Sequence, residues 1–150
     1  MRRRHLLALA GATPFAASAQ ATKRVALLTG LAENDPATKL RLAGFRAGMA
    51  ALGWREGQNY ALDLRYEPSS PERARKLAEE LVALKPDIAV AQGRPSVTAI
   101  REASAALPIV FIAVPDPVQA GMVESLGRPG CNMAGVTSTE PSLAPSGSSF

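Results

Sequence analysis

Ile109-Val110-Phe111-Ile112 is a β-branched and aromatic run with no polar alternation, and Pro115-Asp116-Pro117 comes soon after it. Such a run suits a strand buried on both faces of a parallel sheet. Parallel strands need crossovers of a dozen residues or more, so this run commits the chain to helices packed on the sheet. Asp116 is placed to cap a helix and Pro117 to take its first position, where a missing N–H leaves nothing unpaired. Asp116 then stands at the carboxyl end of a parallel strand, the edge at which open α/β sheets bind ligands.

The same punctuation recurs upstream. Arg24 to Thr29 is an apolar strand that stops at Gly30, and Asp35-Pro36 opens a helix whose face is Leu42, Phe45, Met49 and Leu52, with Gly53 ending it. Trp54 is expected to lie as a lid over that helix end. Tyr60 to Tyr66 alternates apolar with polar residues, as an edge strand does. Ser70-Pro71 starts a second helix with Leu77, Leu81 and Leu84 as its buried stripe, and Lys85-Pro86 closes it. Asp87 to Gln92 reads as a third strand, followed by a helix carrying Val97 and Ile100. Leu107 to Ala113 is the fourth strand. A helix faced by Val118, Met122 and Leu126 and ending at Gly127 leads on to a fifth, Met133 to Thr137. The alternation predicts an α/β fold with a doubly wound parallel five-stranded sheet, order 2-1-3-4-5 by the right-handed crossover rule.

Two turns carry a functional signal. At Gly93-Arg94-Pro95-Ser96 a helix N-terminus offers unpaired N–H groups, and Arg94 or Ser96 beside it could add donors for a carboxylate. On the other reading Ser96 merely caps the helix and Arg94 points to water. Asp116 likewise has two readings, helix cap and ligand contact, and one residue can serve both.

Composition narrows the classes. A chain of 150 residues suits one core. Its first nineteen residues join Arg2, Arg3 and Arg4 to an apolar stretch and end in Ala17-Ser18-Ala19, the pattern of an export signal cut after Ala19. Arg3-Arg4-His5-Leu6-Leu7 also resembles a twin-arginine signal, so the Sec and twin-arginine routes both fit a periplasmic destination. The cut takes three of 17 basic residues and none of 13 acidic ones, and 14 minus 13 leaves +1. No Lys/Arg stripe remains for nucleic acid. The cut also removes His5, the only histidine, which excludes His-type metal sites and Ser-His or Cys-His pairs. Cys131 is the single cysteine, read as an unpaired buried thiol, so no internal disulfide forms. No phosphate loop or G-x-G-x-x-G follows any strand. Neither a cofactor nor a metal is expected.

From Lys23 to Pro145 the chain resembles the first lobe of the periplasmic substrate-binding proteins of ABC importers, whose relatives include aromatic amino acid binders. The resemblance is carried by Phe45-Arg46-Ala47-Gly48, Leu52-Gly53-Trp54, Glu56-Gly57-Gln58-Asn59, Pro108-Ile109-Val110-Phe111, Asp116-Pro117-Val118 and Gly121-Met122-Val123. Ser125-Leu126, Arg128-Pro129-Gly130, Asn132 and Gly135-Val136-Thr137 continue it. Cys131 and Ala134 stand where the family more often shows glycine and threonine.

The resemblance implies a type I periplasmic-binding-protein fold, two lobes closing on a small molecule, and delivery to a membrane permease. It implies no enzyme activity. The expected division is a signal peptide at 1–19, an N-terminal lobe at 20–145 and a disordered Ser/Gly tail at 146–150. The chain thus reads as a truncated single lobe that could associate through its uncovered lobe interface.

The strand-end residues expected to line the cleft are Thr29, Gly30, Gly93, Arg94, Ser96, Asp116, Thr137 and Ser138. Donors near Ser96 would take the carboxylate of a small solute such as an amino acid, and Asp116 would accept from its amine. The competing readings are a flavodoxin-like or hydrolase-like enzyme using Asp116 as base, and a non-functional remnant.

Overall fold

A computed structural model describes residues 21–67, 70–124 and 132–137. The order is β1 (Lys23–Thr29), α1 (Pro36–Ala51), β2 (Tyr60–Tyr66), α2 (Pro71–Ala83), β3 (Ile88–Gln92), α3 (Arg94–Ala103), β4 (Ile109–Ile112) and β5 (Met133–Val136). All strand pairs are parallel and their order is β2-β1-β3-β4-β5, as the sequence predicts. The predicted export signal and the 146–150 tail lie outside the described residues, as do Leu126, Gly127, Cys131 and Ser138.

Strand alternation sorts the apolar residues into two layers. Ala26, Leu28, Ala89, Ala91, Ile109, Phe111 and Met133 face α2 and α3, which contribute Ala74, Ala78, Leu81, Val97 and Ile100. Val25, Leu27 and Val90 face the other way, with Leu42, Phe45 and Met49 of α1 packed over them. The alanines on the first face let α2 and α3 approach the sheet closely. At Gly135 a Cβ would fall on the Phe111 carbonyl oxygen and 2.5 Å from its ring carbons, so β5 can pair with β4 in this register only with glycine there.

Each helix start has its own chemistry. Asp35 Oδ1 accepts from Ala37 N at 2.7 Å and caps α1. Ser70 Oγ accepts from Arg73 N at 3.4 Å and caps α2, while Glu67 Oε1 accepts from Ser70 N at 2.8 Å. α3 opens on Gly93, with no side-chain cap.

Several sequence expectations need correction. β4 is buried on one face only: Ile109 and Phe111 are buried, but Val110 and Ile112 are half-buried, because among the described residues α1 alone covers their side. No α-helix follows β4 among the described residues. Residues 117–121 make one turn, closed by Gly121 at φ +66° with Gly121 N donating to Val118 O at 3.0 Å. Met122 and Val123 drop from that turn into the core, and Val118 stays exposed. Leu52 is the C-cap of α1 and 77% exposed, because Gly53 at φ +86° turns the chain away before the stripe completes another step. The Trp54 side chain belongs to neither apolar cluster and the residue is 37% exposed, while its backbone N–H donates to Met49 O at 2.8 Å. In α2 the fully buried stripe is Ala74, Ala78 and Leu81, while Leu77 and Leu84 are only half-buried.

Candidate functional site

Parallel pairing brings the carboxyl ends of β2, β1, β3 and β4 to one edge, and a cleft of about 390 Å³ opens there. Gly30 follows β1, Glu67 follows β2, Gln92 and Gly93 end β3, and Ala113 follows β4; all line it. The cleft lies where the strand order reverses, between β1 and β3, the position at which open α/β sheets place their ligands. The first turns of α2 and α3 close one side through Ser70, Pro71, Pro95 and Ser96, and Arg41 of α1 reaches it from the other.

Gly93 sets the approach of α3. Its φ of +80° and ψ of 157° belong to a region reserved for glycine, and its N–H donates to Ile112 O at 3.0 Å. The backbone can then turn straight from β3 into the helix, and Gly93 O accepts from Val97 N at 3.2 Å. Ser96 is not the cap. It sits in the first turn, 2% exposed, and its hydroxyl has no hydrogen-bond partner among the described residues. This hydroxyl and the uncapped N–H groups at the positive end of the helix dipole are donors of the kind from which an anion's oxygen atoms accept. No acidic residue stands in the first turn of α3 to occupy that position.

Thr29 and Gln92 form the floor beneath. Thr29 Oγ1 donates to Gln92 Oε1 at 2.7 Å and accepts from Leu31 N at 3.2 Å, so this buried hydroxyl is spent on holding the ends of β1 and β3 together. Glu67 is the one carboxylate in the lining among the described residues. Its side chain is 2% exposed and its Oε2 lies 3.1 Å from Arg73 Nε. Beside it the Ser70 hydroxyl donates to Glu72 at 2.8 Å and holds that exposed carboxyl below its ordinary range.

Of the strand-end residues expected from the sequence, the structure brings Gly30, Gly93 and Ser96 together in the cleft lining. Arg94 faces a separate groove between α2 and α3 with Arg75, Thr98 and Glu102. Thr29 lies under the cleft rather than in its wall. Asp116 is exposed, has φ +39°, accepts from Gln119 N at 3.0 Å and stands outside the lining. Thr137 is half-buried beyond β5, also outside the lining, and Ser138 is not among the described residues.

Arg41, Glu67 and Gln92 escaped the sequence reading. Arg41 is one helical turn beyond the buried Thr38, in the part of α1 nearest the carboxyl edge, so a cation on the flank of the buried stripe was its signal. Gln92 is the one polar residue of β3, and Glu67 is the first residue past β2.

A parallel sheet of this order with a cleft at its carboxyl edge is a doubly wound α/β fold of the kind that places a ligand at the switch point of its strands. The comparisons with known proteins agree. The family model of the ABC transporter substrate binding proteins matches residues 25–143, and the chain belongs to that family. Among curated proteins it is similar to the tyrosine-binding protein of Clostridioides difficile (strain R20291), 33% identical over 94 residues, or 63% of this chain and 27% of that one. Among solved structures it is similar to a conserved domain protein from Vibrio cholerae O1 biovar El Tor. That likeness has a TM-score of 0.73 at 33% identity, covering 80% of this chain and 40% of that one. It is also similar to the ABC domain in complex with L-Trp from Streptococcus pneumoniae. Here the TM-score is 0.71 at 25% identity, covering 78% of this chain and 39% of that one. The chain therefore spans well under half the length of these relatives and has the fold of one lobe of a periplasmic binding protein.

Proposed function

We propose that this chain is the N-terminal, solute-recognising lobe of an exported binding protein that delivers a small carboxylate-bearing solute, an amino acid, to an ABC permease in the periplasmic space. The observation that carries the reading is α3, which opens uncapped into the cleft with a buried, unpartnered Ser96 hydroxyl in its first turn. The N–H groups of Arg94 and Ser96 and the Ser96 hydroxyl would hold the carboxylate, with Gly30 and Gly93 letting it approach the backbone. Two relatives, a tyrosine-binding protein and a protein solved in complex with L-Trp, support an amino acid as the solute class. No helix among the described residues is long and apolar enough to cross a membrane. A second lobe would close over the open side and supply further contacts.

A ligand that binds the native state raises the unfolding midpoint with its concentration. Thermal unfolding of the chain against a panel of amino acids at millimolar concentrations is expected to show a rising midpoint for a subset of them. Ser96→Ala should reduce that rise with its own unliganded midpoint little changed. A parent chain whose midpoint no amino acid moves, or an unaffected Ser96→Ala, would refute the proposal.

A further inference from the structure

The two charged residues of the cleft lining are in opposite states. Glu67 is committed: it accepts from Ser70 N at 2.8 Å, and Arg73 stands 3.1 Å from its other oxygen. Its charge is balanced, and it anchors the start of α2. Arg41 has no carboxylate within ion-pair distance among the described residues, and it is the only full positive charge in the lining.

Arg41 also shares two linings with Gln92, the residue next to the proposed carboxylate position. Both residues line the cleft and, behind it, a smaller cavity of about 30 Å³ walled by Leu42, Phe45 and Ile112. Gln92 directly precedes Gly93, the residue on which α3 opens. Arg41 therefore faces the same cleft as the strand end that carries the helix N-terminus. A guanidinium there can reach an anion that the α3 donors hold from the other side, and a fixed cation adds what neutral donors lack.

Resting on the carboxylate site proposed above, we infer that Arg41 completes it from the α1 side, and that this lobe recognises its solute by the carboxylate alone and does not read an α-amine. Among the described residues the lining offers an unbalanced cation and unpartnered donors, while its one carboxylate accepts from Ser70 N on one oxygen and is ion-paired with Arg73 on the other, without a hydrogen bond there. A solute lacking the amine loses nothing on this lobe. A solute whose carboxylate is masked as an amide loses the Arg41 interaction, because a neutral amide carries no charge for the guanidinium and turns donors toward donors.

Three probes separate the groups: L-tryptophan, indole-3-propionate, which lacks the amine, and L-tryptophan amide, which lacks the charge. Each is titrated into the chain and its dissociation constant read from amide chemical shifts. Parent protein is expected to bind the first two within about threefold and the amide about tenfold to a hundredfold more weakly, the range of a charged hydrogen bond. Arg41→Gln should bring L-tryptophan and its amide within about threefold of each other, and Arg41→Lys should restore part of the preference. Ser96→Ala should weaken the carboxylates while keeping their advantage over the amide.

If Arg41→Gln keeps the full preference while Ser96→Ala still weakens binding, the role of Arg41 is overturned and the carboxylate site stands. If the parent binds L-tryptophan at least tenfold better than indole-3-propionate, the lobe reads the amine and the inference fails. A parent that binds none of the three overturns the inference together with the reading beneath it. Arg41 is exposed on α1, so unchanged far-ultraviolet dichroism and urea midpoint in both variants are expected and show that they fold.

Discussion

Two glycines of the cleft separate backbone geometry from space. Gly93 holds φ +80° and ψ 157°, and the nearest atom to a Cβ placed there is Pro95 Cδ at 3.9 Å, an ordinary contact. Gly93→Ala therefore meets no clash, and its cost is the backbone strain of that region, about 1–3 kcal/mol. With a urea dependence of about 1.5 kcal/mol per molar, the midpoint should fall by about 0.7–2 M. Gly30 has no such φ, and a Cβ there would meet Gln92 O at 3.8 Å and Glu67 O at 4.0 Å. Gly30→Ala is expected to leave stability within about 0.5 kcal/mol, since nothing moves and a methyl group restricts the unfolded chain slightly. Both variants should lose solute binding, Gly93→Ala because α3 is re-aimed and Gly30→Ala because the methyl enters the cleft. Urea unfolding followed by dichroism compares the three proteins directly. A Gly93→Ala midpoint within 0.3 M of the parent, on the order of its uncertainty, or an equal loss at Gly30→Ala, would refute the assignment of strain to Gly93.

Three further outcomes follow from the same structure. Gly135→Ala should destabilise by about 1–3 kcal/mol or more, because the added carbon falls on the Phe111 carbonyl; a neutral change in urea unfolding would contradict the β4–β5 register. Thr29→Val should cost about 1–3 kcal/mol by leaving Gln92 Oε1 buried without its donor, and Thr29→Ser should recover most of it, again by urea unfolding. The N–H of Arg24, and then Lys23, hold the Asp87 carboxyl below its ordinary value of 3.8. A folded pKa below the unfolded one gives stability that is present above the unfolded value and lost as pH falls through the folded one. Asp87→Asn should therefore be less stable than the parent at neutral pH and converge with it in acid; a constant difference across a urea series from pH 7 to about pH 2 would refute this.

The sheet was legible because its signals are local and repeated. Most strands are short apolar runs, α1 and α2 each start at a polar residue followed by proline while α3 opens on a glycine, and crossover handedness leaves one strand order. The turn after β4 was misread for a physical reason. Asp116-Pro117 is a helix-start signal, but nothing local reports that Gly121 takes a left-handed conformation and ends the helix after one turn. The half-exposure of Val110 and Ile112 was equally invisible, because it depends on α1 being the only helix over that face among the described residues.

In the site, Gly93 and Ser96 could be found from the strand-to-helix turn alone. Which of Ser96 and Gly93 caps α3 could not, since that depends on a backbone torsion. Arg41 lies 52 positions before Gly93 and meets the cleft only because β1 and β3 are neighbours. Asp116 shows the opposite error, a residue at the right strand edge whose loop carries it out of the lining.

The central claim is that a carboxylate binds at the first turn of α3. It is tested most directly by following the Arg94 and Ser96 amide resonances while L-tryptophan is added to the chain. The account predicts that these two N–H groups shift together and saturably, and that Gln119, bonded to Asp116, stays still. Saturable shifts centred on Gln119 instead, with Arg94 and Ser96 unmoved, would contradict it.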